Sequence, residues 1–330
     1  MRAVILGLTA SLFFAATFLF NRTMSLDGGS WVWSASLRFL WMVPMLWGIV
    51  AIRGKTRDLW RVMRERPGTW VLWSWIGFGL FYIPLCYAAS FGPAWLLAST
   101  WQVTILAGAV MGRWIGRPAS SSGAAAGEER LWPTLVVSAV MLTGIALVEL
   151  QHARAVPVGD ALLAAGMVLL AAIAYPLGNR QMMAALQGRL HAYERTFGMT
   201  LASLPLWVGL AAYGWWTQGP PPPMQTGQTF LVALMSGVIA TVLFFSATDL
   251  ARNSQTRLAA VEATQAGEVV FTALAEWALL PDAQMSAMGM CGMALVVVGM
   301  VLHSYRVRLG RGGRYEQVRR ISTNSREVRQ

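Results

Sequence analysis

Five polar side chains recur at every third or fourth position of one apolar stretch near the carboxyl end: Glu262, Gln265, Glu268, Thr272 and Glu276. Because an α-helix has a period of about 3.6 residues, this spacing places all five on one helix face. Burial raises the pKa of a carboxyl group, so that it can bind a proton at physiological pH. The stripe therefore predicts a face that is directed at protein or water and that can bind protons.

Glu268 lies near the middle of this stretch, which would be the centre of the membrane if the helix crosses a bilayer. A charged group at that depth costs about 3 kcal/mol or more. Two interpretations of Glu268 stay open: a carboxyl that exchanges protons, and a carboxyl that a neighbouring helix holds for packing. A functional role is favoured for Glu262, and a structural role at the membrane interface for Glu276.

A milder polar set occurs in an earlier apolar stretch. It consists of Ser99, Thr100, Trp101, Gln102 and Thr104. Aligning Thr100 with Thr264 makes the two stretches equivalent under an internal repeat. The Gln102 amide and the Gln265 amide can orient a polar substrate, and the Trp101 ring can stack on an aromatic or cationic one. For Trp101 taken alone, ordinary packing is the more common role.

Two Asn-Arg pairs, Asn21-Arg22 and Asn179-Arg180, stand about half a chain apart. Each ends an apolar run of helical length, the second directly after Tyr175-Pro176, and each opens a set of such runs. A membrane protein that is built from two repeated halves is typically a transporter, with its substrate site where the halves meet. We therefore expect Asn21, Asn179 and Tyr175 to contact a substrate.

Arg38 lies inside the second apolar run, and Arg195 echoes it near the start of the seventh. An unpaired guanidinium within a membrane is costly, so each arginine is expected to have a carboxylate or carbonyl partner. Pairing of Arg38 with an intramembrane glutamate is favoured over binding of an anionic substrate group.

The elements that must position these residues are membrane helices. The chain is 56% hydrophobic and only 12% charged, with a mean hydropathy of +0.50. A bilayer core is crossed by about 20 apolar residues in a helix, and lipid leaves no partner for open strand edges. We predict an all-α integral membrane protein with ten spans, at 3–20, 31–52, 70–89, 93–111, 131–150, 161–177, 196–215, 230–250, 258–280 and 285–303.

Basic residues predict the orientation. With the amino terminus inside, segments facing the cytoplasm hold all but four of the 26 Lys and Arg residues. The exceptions are Arg22 and Arg154 in outward loops, and Arg38 and Arg195 in or beside spans. Since cytoplasmic loops carry an excess of Lys and Arg, both termini are predicted to be cytoplasmic, with two inverted five-helix repeats. The domain covers 1–305, with halves 1–152 and 158–305, and 306–330 is an Arg-rich disordered tail.

Several other classes of function are disfavoured. The net charge of +11 is explained by topology and by membrane lipids, so no nucleic acid partner is predicted. Cys86 and Cys291 lie in apolar spans, and the three histidines lack metal-ligand spacing. We find no nucleophile motif and no phosphate-binding glycine loop, so neither an enzyme nor a cofactor is predicted.

The ten-span plan resembles the drug/metabolite transporter superfamily, and residues 262–271 with 274–277 are similar to its ninth-helix pattern, with Val269 where a proline is usual. Several further segments resemble the multidrug resistance efflux branch of that superfamily. These are 7–15, 21–24, 28–39, 78–82, 91–95 and 100–102. The resemblance extends over residues 3 to 303 and is strongest in the first half.

This resemblance implies a secondary active exporter of small organic compounds in the bacterial cytoplasmic membrane, working by alternating access and coupled to protons. Asn21, Gln102, Asn179, Gln265 and Glu268 would contact the small-molecule substrate, and Glu262 or Glu268 would exchange the proton. The alternative is an exporter or exchanger of amino acids or other metabolites that needs no proton gradient. Because one chain contains both halves, a monomer is predicted. A membrane sensor acting through the tail is a third, weaker alternative.

Overall fold

The computed structural model describes residues 2–115, 143–147, 157–279 and 286–299, together with the isolated residues 140, 150 and 302. Every regular element in these ranges is helical, so the all-α prediction is confirmed for them. The helices are α1 Arg2–Leu26, α2 Trp31–Ile52, α3 Thr56–Glu65, α4 Pro67–Ala88, α5 Ala94–Trp101, α6 Val103–Ile115, α7 Val158–Leu186, α8 Ala192–Gln218, α9 Pro223–Ala251, α10 Gln255–Glu262, α11 Gly267–Leu279 and α12 Ala287–Gly299.

Six of these helices, α1, α2, α4, α7, α8 and α9, are long and apolar enough to cross a membrane. The predicted fourth span is divided between α5 and α6, and the predicted ninth between α10 and α11. Helix α12 falls within the tenth and is shorter. The fifth is represented only by 143–147, and the tail 306–330 lies outside the described residues. Ten spans and their inversion therefore stay predictions.

The two Asn-Arg pairs do not end helices, which corrects the sequence-based boundaries. Helix α1 continues past Asn21 to Leu26, and α7 continues past Asn179 and Arg180 to Leu186. Both asparagines and Arg180 are buried. A polar side chain that is buried against other helices can stay within a helix, because those helices shield it from lipid. Arg180 is thus an interior residue rather than part of a cytoplasmic loop.

The prolines of the apolar helices do not interrupt them. Pro44, Pro84, Pro176 and Pro205 all lie inside continuous helices. The interruptions lie instead at Gln102, between α5 and α6, and at the 3₁₀ turn Ala263–Ala266, between α10 and α11. In addition, π-helical turns widen α4 at Trp75–Gly79 and α9 at Ala233–Ala240.

Hydroxyl and amide side chains favour the two interruptions. Before the first, Ser99 Oγ donates to the Trp95 carbonyl at 2.8 Å, and Gln102 Nε2 donates to the Ala98 carbonyl at 2.9 Å. At the second, Thr264 Oγ1 donates to the Val261 carbonyl at 2.6 Å. Side chains that occupy backbone carbonyls compete with the regular helical hydrogen bonds and loosen the helix.

Helices from the two predicted halves alternate in the packing. Helix α2 packs along α8, α4 along α7, and α1 against α9 and α11. The crossing of α4 and α7 is very close, because a Cβ on Gly178 would lie 2.3 Å from the Gly77 Cα. Only glycine allows two helix backbones to approach so closely. Tyr175 lies one turn before Gly178, so this contact fixes the position of Tyr175 along α4.

Candidate functional site

A small cavity lies between α1, α4, α5, α7 and the broken stretch that joins α10 to α11. It is lined by Phe14, Thr17, Phe18, Phe81, Leu85, Trp101, Tyr175, Gln265 and Glu268. Four predicted site residues, Trp101, Tyr175, Gln265 and Glu268, are therefore brought together. They come from three separate parts of the chain, one on α5, one on α7 and two at the second break.

Aromatic rings form most of the wall. The ring centroids of Phe81 and Tyr175 are 4.9 Å apart, those of Phe81 and Trp101 5.2 Å, and those of Trp101 and Tyr175 5.7 Å. Phe18 approaches Trp101 at 6.5 Å, and Phe14 approaches Tyr175 at the same distance. Clustered aromatic faces present negative charge density to the space that they enclose, which suits flat or positively charged organic groups.

Glu268 is the carboxyl of this cavity. It is 1% exposed, and the Trp101 side chain donates a hydrogen bond to it through the indole N–H. Its Oε1 has no hydrogen-bond partner among the described residues. One oxygen is thus oriented by Trp101, while the other is free for a proton or for a donor on a ligand. Gln265 and Thr17 add further polar groups to the lining.

The cavity is narrow in this conformation. It has room for about one water molecule. An organic molecule would therefore have to displace aromatic side chains or separate helices. The side chains around the site are therefore tightly packed in this structure.

Three predicted contact residues are buried beside the cavity but do not line it. Asn21 Oδ1 accepts a hydrogen bond from the Tyr82 hydroxyl at 3.3 Å. Gln102 is fully buried at the first helix break and donates to the Ala98 carbonyl. Asn179 is buried on α7, and its Oδ1 has no partner among the described residues. A direct contact of these residues with a substrate would require a different arrangement of the helices.

Glu262 also lies outside the cavity lining. Its carboxylate forms a two-pronged ion pair with Arg180, with Oε1 to Nε at 2.9 Å and Oε2 to Nη2 at 2.7 Å. Both side chains are almost fully buried. Gly108 on α6 packs directly on this carboxylate, since a Cβ there would lie 2.6 Å from Oε2. The pair ties α7 to the end of α10, next to the second break.

The expected pairing of Arg38 with an intramembrane glutamate is wrong for the described residues. No carboxylate among them lies within 4.0 Å of its nitrogens. Its Nη2 donates to the Ser236 hydroxyl at 3.0 Å, and its guanidinium carbon lies 4.0 Å from the centroid of the Tyr82 ring. Arg195, by contrast, pairs with Asp249 at 2.7 Å.

Glu276 caps a helix rather than reaching the cavity. Its Oε1 accepts from the Ala94 amide at 3.0 Å, and its Oε2 accepts from the Trp95 amide at 2.7 Å. These amides belong to the first turn of α5, where backbone N–H groups have no acceptor within the helix. The carboxylate also complements the positive end of the helix dipole. Glu276 thereby helps to hold α5, and so Trp101, in position.

We expect Glu276→Ala to destabilise the protein by about 2 kcal/mol, because it removes a charged cap with two hydrogen bonds. Glu276→Gln keeps one acceptor oxygen and should lose about half as much. The midpoint of thermal unfolding of the purified protein in detergent measures both effects. Equal midpoints for the wild type and Glu276→Ala would show that this cap contributes nothing.

Sequence reasoning missed five lining residues, namely Phe14, Thr17, Phe18, Phe81 and Leu85. All but Thr17 are apolar residues in apolar helices, where burial in protein and exposure to lipid look alike in a sequence. The spacing of Phe14 and Phe18 by four residues, which places two aromatic rings on one face of α1, was the available signal.

Comparison with known proteins identifies the family. The family model described as "EmrE: Putative multidrug resistance efflux transporter" matches residues 1–308, nearly the whole chain. A Bacillus subtilis (strain 168) protein named "Uncharacterized protein YjlA" is 48% identical over 307 residues, which cover 92% of this chain and 95% of that protein. A Shouchella clausii protein, "Uncharacterized 42.1 kDa protein in intracellular alkaline protease 3'region", is 42% identical over 81% of this chain and 70% of its own length.

A solved structure described as "Crystal structure of protein" has the same fold, with a TM-score of 0.61 and 18% identity over 93% of this chain and 97% of that one. The resemblance drawn from the sequence is confirmed by the family match. The chain belongs to the EmrE-like multidrug resistance efflux transporter family, within the drug/metabolite transporter superfamily.

Proposed function

We propose that the protein exports small organic molecules that carry a positive charge and an apolar or aromatic body, in exchange for protons. The observation that carries the proposal is one buried carboxyl, Glu268, with a free oxygen inside an otherwise aromatic cavity. The family, whose members are described as efflux transporters, supports the direction of transport.

Positive charge in the substrate follows from the balance of charges at the site. Among the described residues that line the cavity, Glu268 carries the one carboxyl group, and none has a basic side chain. A cation would neutralise this carboxylate and would contact the faces of Trp101, Tyr175 and Phe81. Each cation–π contact contributes about 0.5–2 kcal/mol when the groups are removed from water.

Proton coupling follows from competition for the same carboxyl. A proton on Glu268 removes the charge that attracts the cation, and a bound cation favours loss of the proton. If the closed cavity opens to one side of the membrane at a time, the two ligands are carried in opposite directions. The proton gradient then drives the substrate outward, with no cofactor and with a single chain as the transporting unit in the bacterial cytoplasmic membrane.

Flux in proteoliposomes with an imposed pH gradient tests this function. A lipophilic aromatic cation and a neutral aromatic molecule of similar size are compared as substrates. We expect the cation to accumulate against its gradient only when the pH gradient is present, and the neutral molecule to equilibrate as in vesicles without protein. An aromatic amino acid is tested as a third substrate. If the protein transports it at a rate that does not depend on the pH gradient, the result favours the metabolite exporter and refutes the proton-coupled mechanism.

A further inference from the structure

Arg38 lies at the centre of a second polar cluster, separate from the cavity lining, that comprises Asn21, Arg38, Tyr82, Cys86 and Ser236. Arg38 lies over the Tyr82 ring and donates to Ser236, and the Tyr82 hydroxyl donates to Asn21. Cys86 lies one helical turn after Tyr82 on α4. All five side chains are buried. We call this group the Arg38 cluster.

The Arg38 cluster has more donors than acceptors. Three N–H-bearing atoms, Arg38 Nε, Arg38 Nη1 and Asn21 Nδ2, have no hydrogen-bond partner among the described residues. Arg38 is 2% exposed, and no carboxylate oxygen of the described residues lies within 4.0 Å of its nitrogens. A buried guanidinium is stable only when its charge and its hydrogen-bonding groups are satisfied. The cluster therefore presents a positive charge and several donors that a negatively charged acceptor would satisfy.

Arg195 is a second buried arginine that lies over an aromatic ring, and its charge is neutralised by a carboxylate. Its guanidinium carbon lies 4.3 Å from the centroid of the Phe245 ring, much as Arg38 lies over Tyr82. Asp249, one helical turn after Phe245, supplies the carboxylate at 2.7 Å. One helical turn after Tyr82 the chain has Cys86, a neutral residue. Arg195 also donates to the Phe245 carbonyl and the Thr248 hydroxyl, whereas Arg38 donates to the Ser236 hydroxyl. The carboxylate beside Arg195 has no counterpart beside Arg38 among the described residues.

The Arg38 cluster borders the cavity. Ser236 accepts hydrogen bonds from both Arg38 and Thr17, and Thr17 belongs to the cavity lining. On the other side of Arg38, the Met42 side chain packs against Gly237, next to Nε. An anion that enters from the cavity would therefore reach Arg38 after displacement of one pair of hydroxyl groups.

We propose that the Arg38 cluster is a binding site for a small monovalent anion, which takes the place that Asp249 occupies beside Arg195. The anion is either chloride from solution or the carboxylate group of a transported molecule. Both present one negative charge to the Arg38 Nε, Arg38 Nη1 and Asn21 Nδ2 donors. The site is independent of the proposed role of Glu268 in proton exchange, and binding can be measured without transport.

Thermal unfolding of the full-length protein in detergent tests the proposal, with potassium chloride, acetate and bulky gluconate compared at equal ionic strength. Binding at saturation should raise the midpoint by about 3–5 °C relative to gluconate. A saturable response to chloride identifies the inorganic ion, and a response to acetate alone identifies a substrate carboxylate. No response to either anion would overturn the proposal.

The variant Cys86→Asp provides the missing carboxylate within the chain and makes the test specific. We expect it to unfold at a higher temperature than the wild type in gluconate and to lose the anion response. Cys86→Asn, its neutral counterpart of the same size, should keep the response. A response in Cys86→Asp equal to that of the wild type would place the anion elsewhere and refute the assignment.

Arg38→Met serves if Cys86→Asp does not fold. It removes the guanidinium charge and replaces the side chain with a flexible apolar one, so that no uncompensated charge is left at this position. We expect this variant to fold and to unfold at the same temperature in chloride, acetate and gluconate. An anion response that survives in Arg38→Met would equally contradict the proposal.

Discussion

Glu268→Gln is expected to reduce proton-driven accumulation of an organic cation to the level of vesicles without protein. Glutamine has the size of the carboxyl and can still accept the hydrogen bond from Trp101, but it neither carries a charge nor exchanges a proton. Both the attraction for the cation and the competition with protons are lost together. Uptake into proteoliposomes along an imposed pH gradient measures the effect.

Two further variants separate this role from a structural one. Glu268→Asp keeps a titratable group and should retain coupled transport at a lower rate, because its carboxyl is displaced by one methylene. Glu276→Gln makes the same chemical change on the same helix, at a residue that caps α5 and does not line the cavity. Per folded molecule, this variant should transport the cation at the rate of the wild type. Coupled accumulation by Glu268→Gln at the wild-type rate would refute proton exchange at Glu268.

The polar stripe from Glu262 to Glu276 predicted a single face, and the structure explains why only part of it faces the cavity. Gln265 and Glu268 line the cavity, whereas Glu262 contacts Arg180. A 3₁₀ turn occupies Ala263–Ala266, between the two glutamates. Each of its residues turns the chain by about 120° instead of 100°, which rotates the following helix by about 80° over four residues. A sequence pattern that assumes one continuous helix cannot contain this rotation.

The two helix breaks were not predicted from the sequence. Aligning Thr100 with Thr264 made two hydroxyl-rich stretches equivalent, and the structure has an interruption in each, at Gln102 and at Ala263–Ala266. The internal repeat itself stays a prediction. Pro176, one residue after the cavity residue Tyr175, lies within the continuous helix α7. Neighbouring helices compensate for the hydrogen bond that a membrane-helix proline removes, and the sequence does not record those neighbours.

Arg38 illustrates what charge alone cannot predict. The cost of a buried guanidinium predicted a carboxylate or carbonyl partner, and the chain offered several glutamates. Arg195 has such partners, whereas Arg38 donates to the Ser236 hydroxyl. Which of them lies close enough depends on helix packing: Glu262 is taken by Arg180, and Glu276 by the amides of α5. The polar residues of the chain were thus identified from the sequence, but their pairing was not.

Breaking the buried pair between Arg180 and Glu262 is expected to have the largest effect on stability. Glu262→Leu removes one partner and leaves the Arg180 guanidinium in the interior, and Arg180→Met leaves the Glu262 carboxylate. Removing one member of a buried pair typically costs about 3–5 kcal/mol. We expect the midpoint of thermal unfolding in detergent to fall by about 5–10 °C in either variant.

The double variant Arg180→Met/Glu262→Leu should recover most of that loss, since an apolar pair of similar volume leaves no charge uncompensated. A double variant as unstable as the sum of the two single ones would show that the charges act independently.

The double variant also distinguishes two roles for Glu262. If it only ties α7 to α10, the stable double variant should still transport, whereas a proton-exchanging Glu262 would leave that variant folded and inactive. Because Gly108 packs on the same carboxylate, Gly108→Ala should perturb the wild-type pair and have little effect in the double variant.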